Sequence, residues 1–205
     1  MSTHRAAALL ARYAAGGATL GEIAGMHTGL SVPGAAASLN WLAELTPIAR
    51  VLVLGPGAAV ALRAAGLAVP PLLGVTVTAD ISVAQIAPGQ YLASAAAASA
   101  QSLPAFERSL AVLVLPVEYA EFALGGPAIT GLIAEICTAD ATAPSASGWF
   151  ATQICGLDAA LVRDARGWRV LCAPAEAPWL GGVLLDLVES QRGGLIGYND
   201  YLAQT

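Results

Sequence analysis

Apolar and polar positions alternate between two regimes along this chain, and the switches between them predict its elements. Residues 48–54 are dense in branched apolar side chains, which suits a buried strand. Gly55-Pro56-Gly57 then turns the chain into a helix over 58–65, with Pro56 fitted to its start and Gly66 to its end. A short strand is expected at 74–78. Residues 81–87 alternate apolar with polar, and Pro88-Gly89 folds them back on 90–94 as a hairpin.

Further on, 104–109 reads as a short helix and 110–115 as a buried strand, with 119–124 as its hairpin partner. Residues 121–127, Glu-Phe-Ala-Leu-Gly-Gly-Pro, run from strand into turn, and a helix follows over 128–137. An apolar strand block covers 149–172, broken by the turn Asp164-Ala165-Arg166-Gly167, and a helix over 174–191 closes it. The order strand, Gly-Pro, helix, strand occurs twice, at Gly55-Pro56 and at Gly126-Pro127, on one plan. The expected fold class is therefore α+β, built of split β-α-β units around a mostly antiparallel sheet.

The ends read differently. An amphipathic helix is expected over 5–15, an extended glycine-rich stretch over 16–34 and a short helix over 35–45 carrying Ser38, Asn40 and Trp41. Residues 95–103 are low-complexity Ala/Ser. This divides the chain into an N-terminal helix and interaction arm (1–47), an α+β domain (48–192) and a C-terminal tail (193–205).

Composition narrows the function classes. Hydrophobic residues make up 57% and charged residues only 11%, against about 25% charged in an ordinary soluble domain. So little charge on 205 residues favours a chain that covers part of its surface with a permanent partner. All nine cations are arginine, which excludes a Schiff-base or P-loop lysine. A net charge of −5 with no basic cluster argues against nucleic acid as a partner. The longest apolar runs, 51–62 and 110–117, fall short of the roughly 18 residues that span a bilayer, so no membrane segment is expected. Three cysteines without a CxxC pattern suit reduced thiols and a cytoplasmic location.

Several pieces in order resemble the gamma subunit family of heterotetrameric sarcosine oxidases, within the folate-binding aminomethyltransferase-like superfamily. They are Val51–Leu54 with Gly55-Pro56-Gly57, the hairpin around Pro88-Gly89-Gln90-Tyr91-Leu92, the strand Glu121 to Pro127, Ile136-Cys137-Thr138-Ala139-Asp140, and the strand block from Trp149 to Val170. Thr138 stands where the family has proline, and Thr142-Ala143-Pro144 replaces its His-Pro. The resemblance implies an aminomethyltransferase-like fold. It also implies a non-catalytic accessory subunit of a flavin-dependent oxidase or dehydrogenase acting on sarcosine or other N-methyl amino acids. Its partners would be larger flavoprotein subunits carrying FAD, FMN, NAD and tetrahydrofolate, with no cofactor in this chain.

Candidate chemistry is sparse. Gly55-Pro56-Gly57 opens a helix and offers amides to an anion, but Val60 replaces the third glycine of the dinucleotide fingerprint, and the nearest acid, Asp80, precedes a strand. His4 and His27 are the only imidazoles; three or four ligands for a metal are not to be found. Cys137, Cys155 and Cys172 read as core thiols. Glu121 is the one carboxylate placed to hold a pterin-like ring, which keeps a free-standing folate-dependent methyl or aminomethyl transferase as the alternative, beside a small-anion-binding module. No catalytic, cofactor-binding or metal-ligating residue is assigned. The expected partner contacts are His27, Trp41, Trp179, Tyr198 and Tyr201, since aromatic residues anchor interfaces.

Overall fold

The computed structural model describes residues 5–35, 39–78, 81–95, 103–140, 148–164 and 167–204. His4, Ser38, Asp80, residues 96–102 and 142–144, and Ala165-Arg166 of the expected turn lie outside them.

Two mostly antiparallel sheets lie face to face. The first contains β5 (Arg50–Leu54), β6 (Val75–Thr78), β7 (Ile81–Ala87), β8 (Gln90–Ala95) and β9 (Leu113–Pro116), in the order β6-β7-β8-β5-β9. The second contains β4 (Trp41–Glu44), β10 (Ala120–Gly125), β11 (Gly148–Ile154), β12 (Leu157–Asp164), β13 (Gly167–Cys172) and β14 (Gly194–Leu195), in the order β11-β12-β13-β10-β4-β14. Alternation along the strands gives each sheet two apolar faces. Trp149, Val162 and Leu171 of the second sheet meet Val75, Ala84 and Leu92 of the first. The outer faces take the helices. Helix α2 (Ala58–Ala64) buries Ala58, Ala61 and Leu62 on Val53 and Tyr91. Helices α3 (Ile129–Ile136) and α4 (Ala177–Ser190) bury Ile129, Ile133, Leu180 and Leu184 on Phe122, Leu161 and Val170. The expected α+β class with mostly antiparallel strands is what the chain forms; the only parallel pairs among the described residues are β14 with β4, and β1 with β3 of the N-terminal unit.

That N-terminal unit is a small sheet, β1 (Arg5–Ala6), β2 (Thr19–Ile23) and β3 (Met26–Ser31), around α1 (Leu10–Ala15). Residues 5–15 therefore hold a two-residue strand and a shorter helix rather than one helix. The 16–34 stretch is a hairpin whose turn, Ala24-Gly25, has both φ angles positive, the geometry that matches strand twist in a two-residue loop.

Three other expectations are corrected. Residues 41–44 form β4, not a helix. All four are buried between β10 and β14, and a strand buried on both faces shows no alternation to separate it from a helix. Residues 104–108 are irregular, closed by the Ser109↔Val112 bridge. The 110–115 strand begins only at Leu113, lies at a sheet edge and is mostly exposed. Its partner is β5, while β10 joins the other sheet between β13 and β4. Pro116 ends β9, and the link to Ala120 carries the chain across.

The segments read as arm and tail both enter this framework. β4 and β14 belong to the six-stranded sheet, and α5 (Tyr198–Leu202) closes a cluster with Trp41, Leu45, Ile48 and Ala123.

Candidate functional site

The two links that carry the chain between sheets, 45–49 and 117–119, border a cavity of about 770 Å³. The β2–β3 turn with Met26 forms another wall, and Pro174, Ala177 and Pro178 at the start of α4 a third. Its polar lining comes from Glu44, Thr46, Arg50, Glu118 and Tyr119.

Glu44 sits at the end of β4, buried. Its Oε1 accepts hydrogen bonds from the Ala8 amide and the Thr46 hydroxyl, each at 2.8 Å, and its Oε2 accepts the Leu9 amide at 2.8 Å. These amides precede α1, so the carboxylate fixes where that helix starts. Burial outweighs the three donors and holds the carboxyl above its ordinary value.

Beneath the cavity lies a charged triad. Glu121, wholly buried on β10, receives Arg50 Nε and Nη2 on Oε2 and Arg169 Nη1 on Oε1 at 3.1 Å. Two guanidinium charges overcome desolvation and push its carboxyl below the ordinary range. Arg50 also donates to the carbonyls of Leu45, Thr46, Ile48 and Tyr119 at 2.8–3.3 Å, which are the two inter-sheet links. Arg169 Nη2 reaches Ser82 Oγ on β7 at 3.0 Å. The triad thus ties four strands, β5, β7, β10 and β13, and both links together. Glu121, the carboxylate that the transferase alternative would use for a pterin-like ring, is committed to two arginines.

The Gly55-Pro56-Gly57 segment is a structural turn, as Val60 in place of the third glycine implies. The Gly55 amide donates to Gly89 O at 2.9 Å and the Gly57 amide to Ala111 O at 3.0 Å. A Cβ on Gly55, whose φ is +113°, would lie 2.3 Å from Ala111 O. Close backbone approach explains the glycine, and the chain's own carbonyls occupy the amides an anion would need.

The expected contact residues fall in different places. Trp179 is 54% exposed on the first turn of α4. His27, half-buried on β3, neighbours Met26 of the cavity wall. Trp41, Tyr198 and Tyr201 are buried together, with the Trp41 and Tyr201 rings edge-on at 5.8 Å. Trp41 also lies against Gly125, where a Cβ would be 2.1 Å from its ring. Cys172 is buried and its thiol pushed up to about 11; Cys137 lies 3.2 Å from Thr152 Oγ1. Cys155 is exposed at the β11–β12 turn. Among the described residues no cluster of His, Cys, Asp or Glu is arranged to hold a metal, and no helix is long and apolar enough to cross a membrane.

Sequence reasoning missed Glu44 and the use of Arg50. The one available signal was a charged residue bordering an apolar run in each case, Glu44 after Trp41-Leu42-Ala43 and Arg50 before Val51-Leu52-Val53.

No known family model and no curated protein sequence matches this chain. Solved structures do. Aminomethyltransferase T of the glycine cleavage system from Bartonella henselae superposes with a TM-score of 0.71 over 97% of this chain, at 17% identity. This chain spans 61% of that protein's length. A chain of the heterotetrameric sarcosine oxidase from Corynebacterium sp. U-96 superposes with a TM-score of 0.59 over 77% of this chain and 92% of its own length, at 19% identity. The fold is therefore the aminomethyltransferase-like one.

Proposed function

We propose that this chain is a non-catalytic, gamma-like subunit of a heteromeric flavin-dependent oxidase or dehydrogenase acting on sarcosine or another N-methyl amino acid, and that it stabilises the complex. One observation carries the reading. The likeness to the sarcosine oxidase chain takes in 92% of that chain's length, whereas the aminomethyltransferase extends well beyond the matched part. The triad agrees with a scaffold: its charges hold the inter-sheet links and leave Glu121 no free oxygen. The larger subunits would carry FAD, FMN, NAD and tetrahydrofolate. The test is co-expression with the flavoprotein subunits of the same source. A stoichiometric complex that survives gel filtration is expected; a chain that elutes alone and monodisperse overturns the reading.

The cavity favours a second reading, a free-standing folate-dependent methyl or aminomethyl transferase. About 770 Å³ lies within the usual range for a small-molecule site. Glu121 does not fit as the ring's anchor; the carboxylates that line the cavity are Glu44, buried and bonded to the Ala8 and Leu9 amides, and Glu118, exposed beside Tyr119. Calorimetry with tetrahydrofolate should then show micromolar binding that weakens in Glu118→Ala. Absence of heat with the wild type removes this reading.

A further inference from the structure

The cavity beside the inter-sheet links presents acceptors and withholds donors. Arg50 is the only cation that lines it among the described residues, and that side chain is 1% exposed. Its five N–H groups are spent on Glu121 Oε2 and on the carbonyls of Leu45, Thr46, Ile48 and Tyr119. Pro47, Pro116, Pro174 and Pro178 in the lining have no amide hydrogen. The amides of Ala8, Ile48, Val117 and Ala177 already serve Glu44 Oε1, Leu45 O, Arg50 O and Pro174 O. The Thr46 hydroxyl donates to Glu44. Against these spent donors stand two carboxylates. Glu118 is exposed in the lining. Glu44 is wholly buried in the wall, and its three partners, the Ala8 and Leu9 amides and the Thr46 hydroxyl, are all neutral. Three donors leave one of the roughly four acceptor positions of a carboxylate open. A buried anion without a cation is costly, and burial holds this carboxyl above its ordinary value. A positive charge in the cavity offsets that cost.

We propose that the cavity is a site for a small organic cation, a protonated amine with an apolar body, whose ammonium faces Glu44 and Glu118. An ammonium N–H fills the open acceptor position of Glu44, and its charge completes a wall that holds carboxylates and no uncommitted cation. Met26, Ile48, Val117 and Pro178 supply apolar surface for the body. The volume, about 770 Å³, suits a ligand of that size. The same lining turns anions away. Tetrahydrofolate carries carboxylates, and Arg50 has no donor left for them; an amino acid would likewise leave its own carboxylate unpaired. Occupancy by an amine therefore excludes the transferase reading and is independent of the accessory one.

Calorimetry on the full chain compares three probes of similar shape, benzylammonium, benzyl alcohol and benzoate, with tetrahydrofolate as a fourth. Benzylammonium is expected to bind about tenfold or more tightly than benzyl alcohol, and benzoate and tetrahydrofolate not to bind. Its affinity should fall about tenfold in Glu118→Gln, and also as sodium chloride is raised from ~0.05 to ~0.5 M. Val60→Arg makes the same change in net charge at an exposed position of α2, outside the lining, and should bind like the wild type. Equal affinity for the three small probes overturns the inference, as does a chain that takes up none of them. Cation binding that neither Glu118→Gln nor Glu44→Gln weakens overturns it too; should Glu44→Gln fail to fold, Glu118→Gln and the salt series decide. Tetrahydrofolate bound in preference to benzylammonium overturns the inference in favour of the transferase. A chain that binds benzylammonium but never co-elutes with flavoprotein subunits keeps the site and loses the accessory reading.

Discussion

Arg50 Nε donates to Glu121 Oε2 at 2.8 Å, joining the start of β5 to a strand of the other sheet, 71 residues away in the chain. Arg169 neutralises the second oxygen of the same carboxylate. Removing the shared anion leaves two guanidinium groups buried against each other, which costs far more than the pairs contribute. Glu121→Ala should lower stability by about 3–5 kcal/mol, and so the melting temperature by roughly 10 °C for a chain of this size. Arg169→Met should cost less than Arg50→Met, because Arg50 alone also holds four backbone carbonyls. Thermal melts of the three variants check the order; a Glu121→Ala protein that melts with the wild type refutes it.

Glu44 and Glu121 respond to pH in opposite senses. The Glu44 carboxyl is raised above its ordinary 4.5, so its contribution is complete below that value and is lost as pH rises through the folded-state pKa. Glu121 is lowered; its contribution is present above 4.5 and lost as pH falls through its folded value. The groups facing Glu44 are Tyr13, Thr46 and the amides of Ala8 and Leu9. Unfolding free energies from denaturant titrations taken upward from pH 4.5 should therefore fall in the wild type relative to Glu44→Gln, by at most ~1.4 kcal/mol per pH unit. Parallel curves would remove the assignment.

Much of the architecture is legible in the residues because it is local. The β7–β8 hairpin follows from alternation and from Gly89, whose φ is +67°; α2 ends where Gly66 enters the left-handed region at φ +78°. What fails is non-local. Residues 119–124 read as a strand, and β10 covers Ala120–Gly125, but nothing in their pattern says that β13 and β4, rather than β9, lie beside them. The same holds for the site. Arg50, Glu121 and Arg169 are far apart in sequence and meet only once two sheets are stacked, and Glu44 takes its partners from amides, which no side-chain motif reports. Glu121 stood out as a carboxylate in an apolar strand, but the two cations that make it scaffold lie on other strands and leave no trace in its own segment.

Two glycines should respond to alanine with opposite signs. Gly131 is an exposed position inside α3, and a Cβ there meets nothing within 4 Å. Gly131→Ala lowers the entropy of the unfolded chain at no steric cost and should stabilise by about 0.5–1 kcal/mol. Gly29 lies under the Tyr13 ring, where a Cβ would come within 2.2 Å of a ring carbon. Forcing the ring away in a filled core should cost about 1–3 kcal/mol. Urea unfolding of both variants provides the check, and equal signs would contradict the packing described.

Tyr13 joins the N-terminal unit to the rest of the molecule at two points. Its buried hydroxyl accepts the Glu44 amide and donates to Ile196 O, both at 3.1 Å. Tyr13→Phe leaves a buried N–H and a buried C=O without partners, a loss of roughly 2–6 kcal/mol at about 1–3 for each group. Hydrogen exchange at the Glu44 amide should accelerate with it. Asp200 makes a second clamp between the same segments, its Oδ2 accepting the Val32 amide at 2.7 Å and the Gly197 amide at 2.8 Å. Once one clamp is released, residues 194–202 lose part of their order, and the other has less left to hold. Tyr13→Phe with Asp200→Ala should accordingly cost less than the two single changes added together, by about 0.5–3 kcal/mol. Strict additivity in the double-mutant cycle would mean that the two clamps act on separate segments and that the C-terminal helix is not what Tyr13 secures.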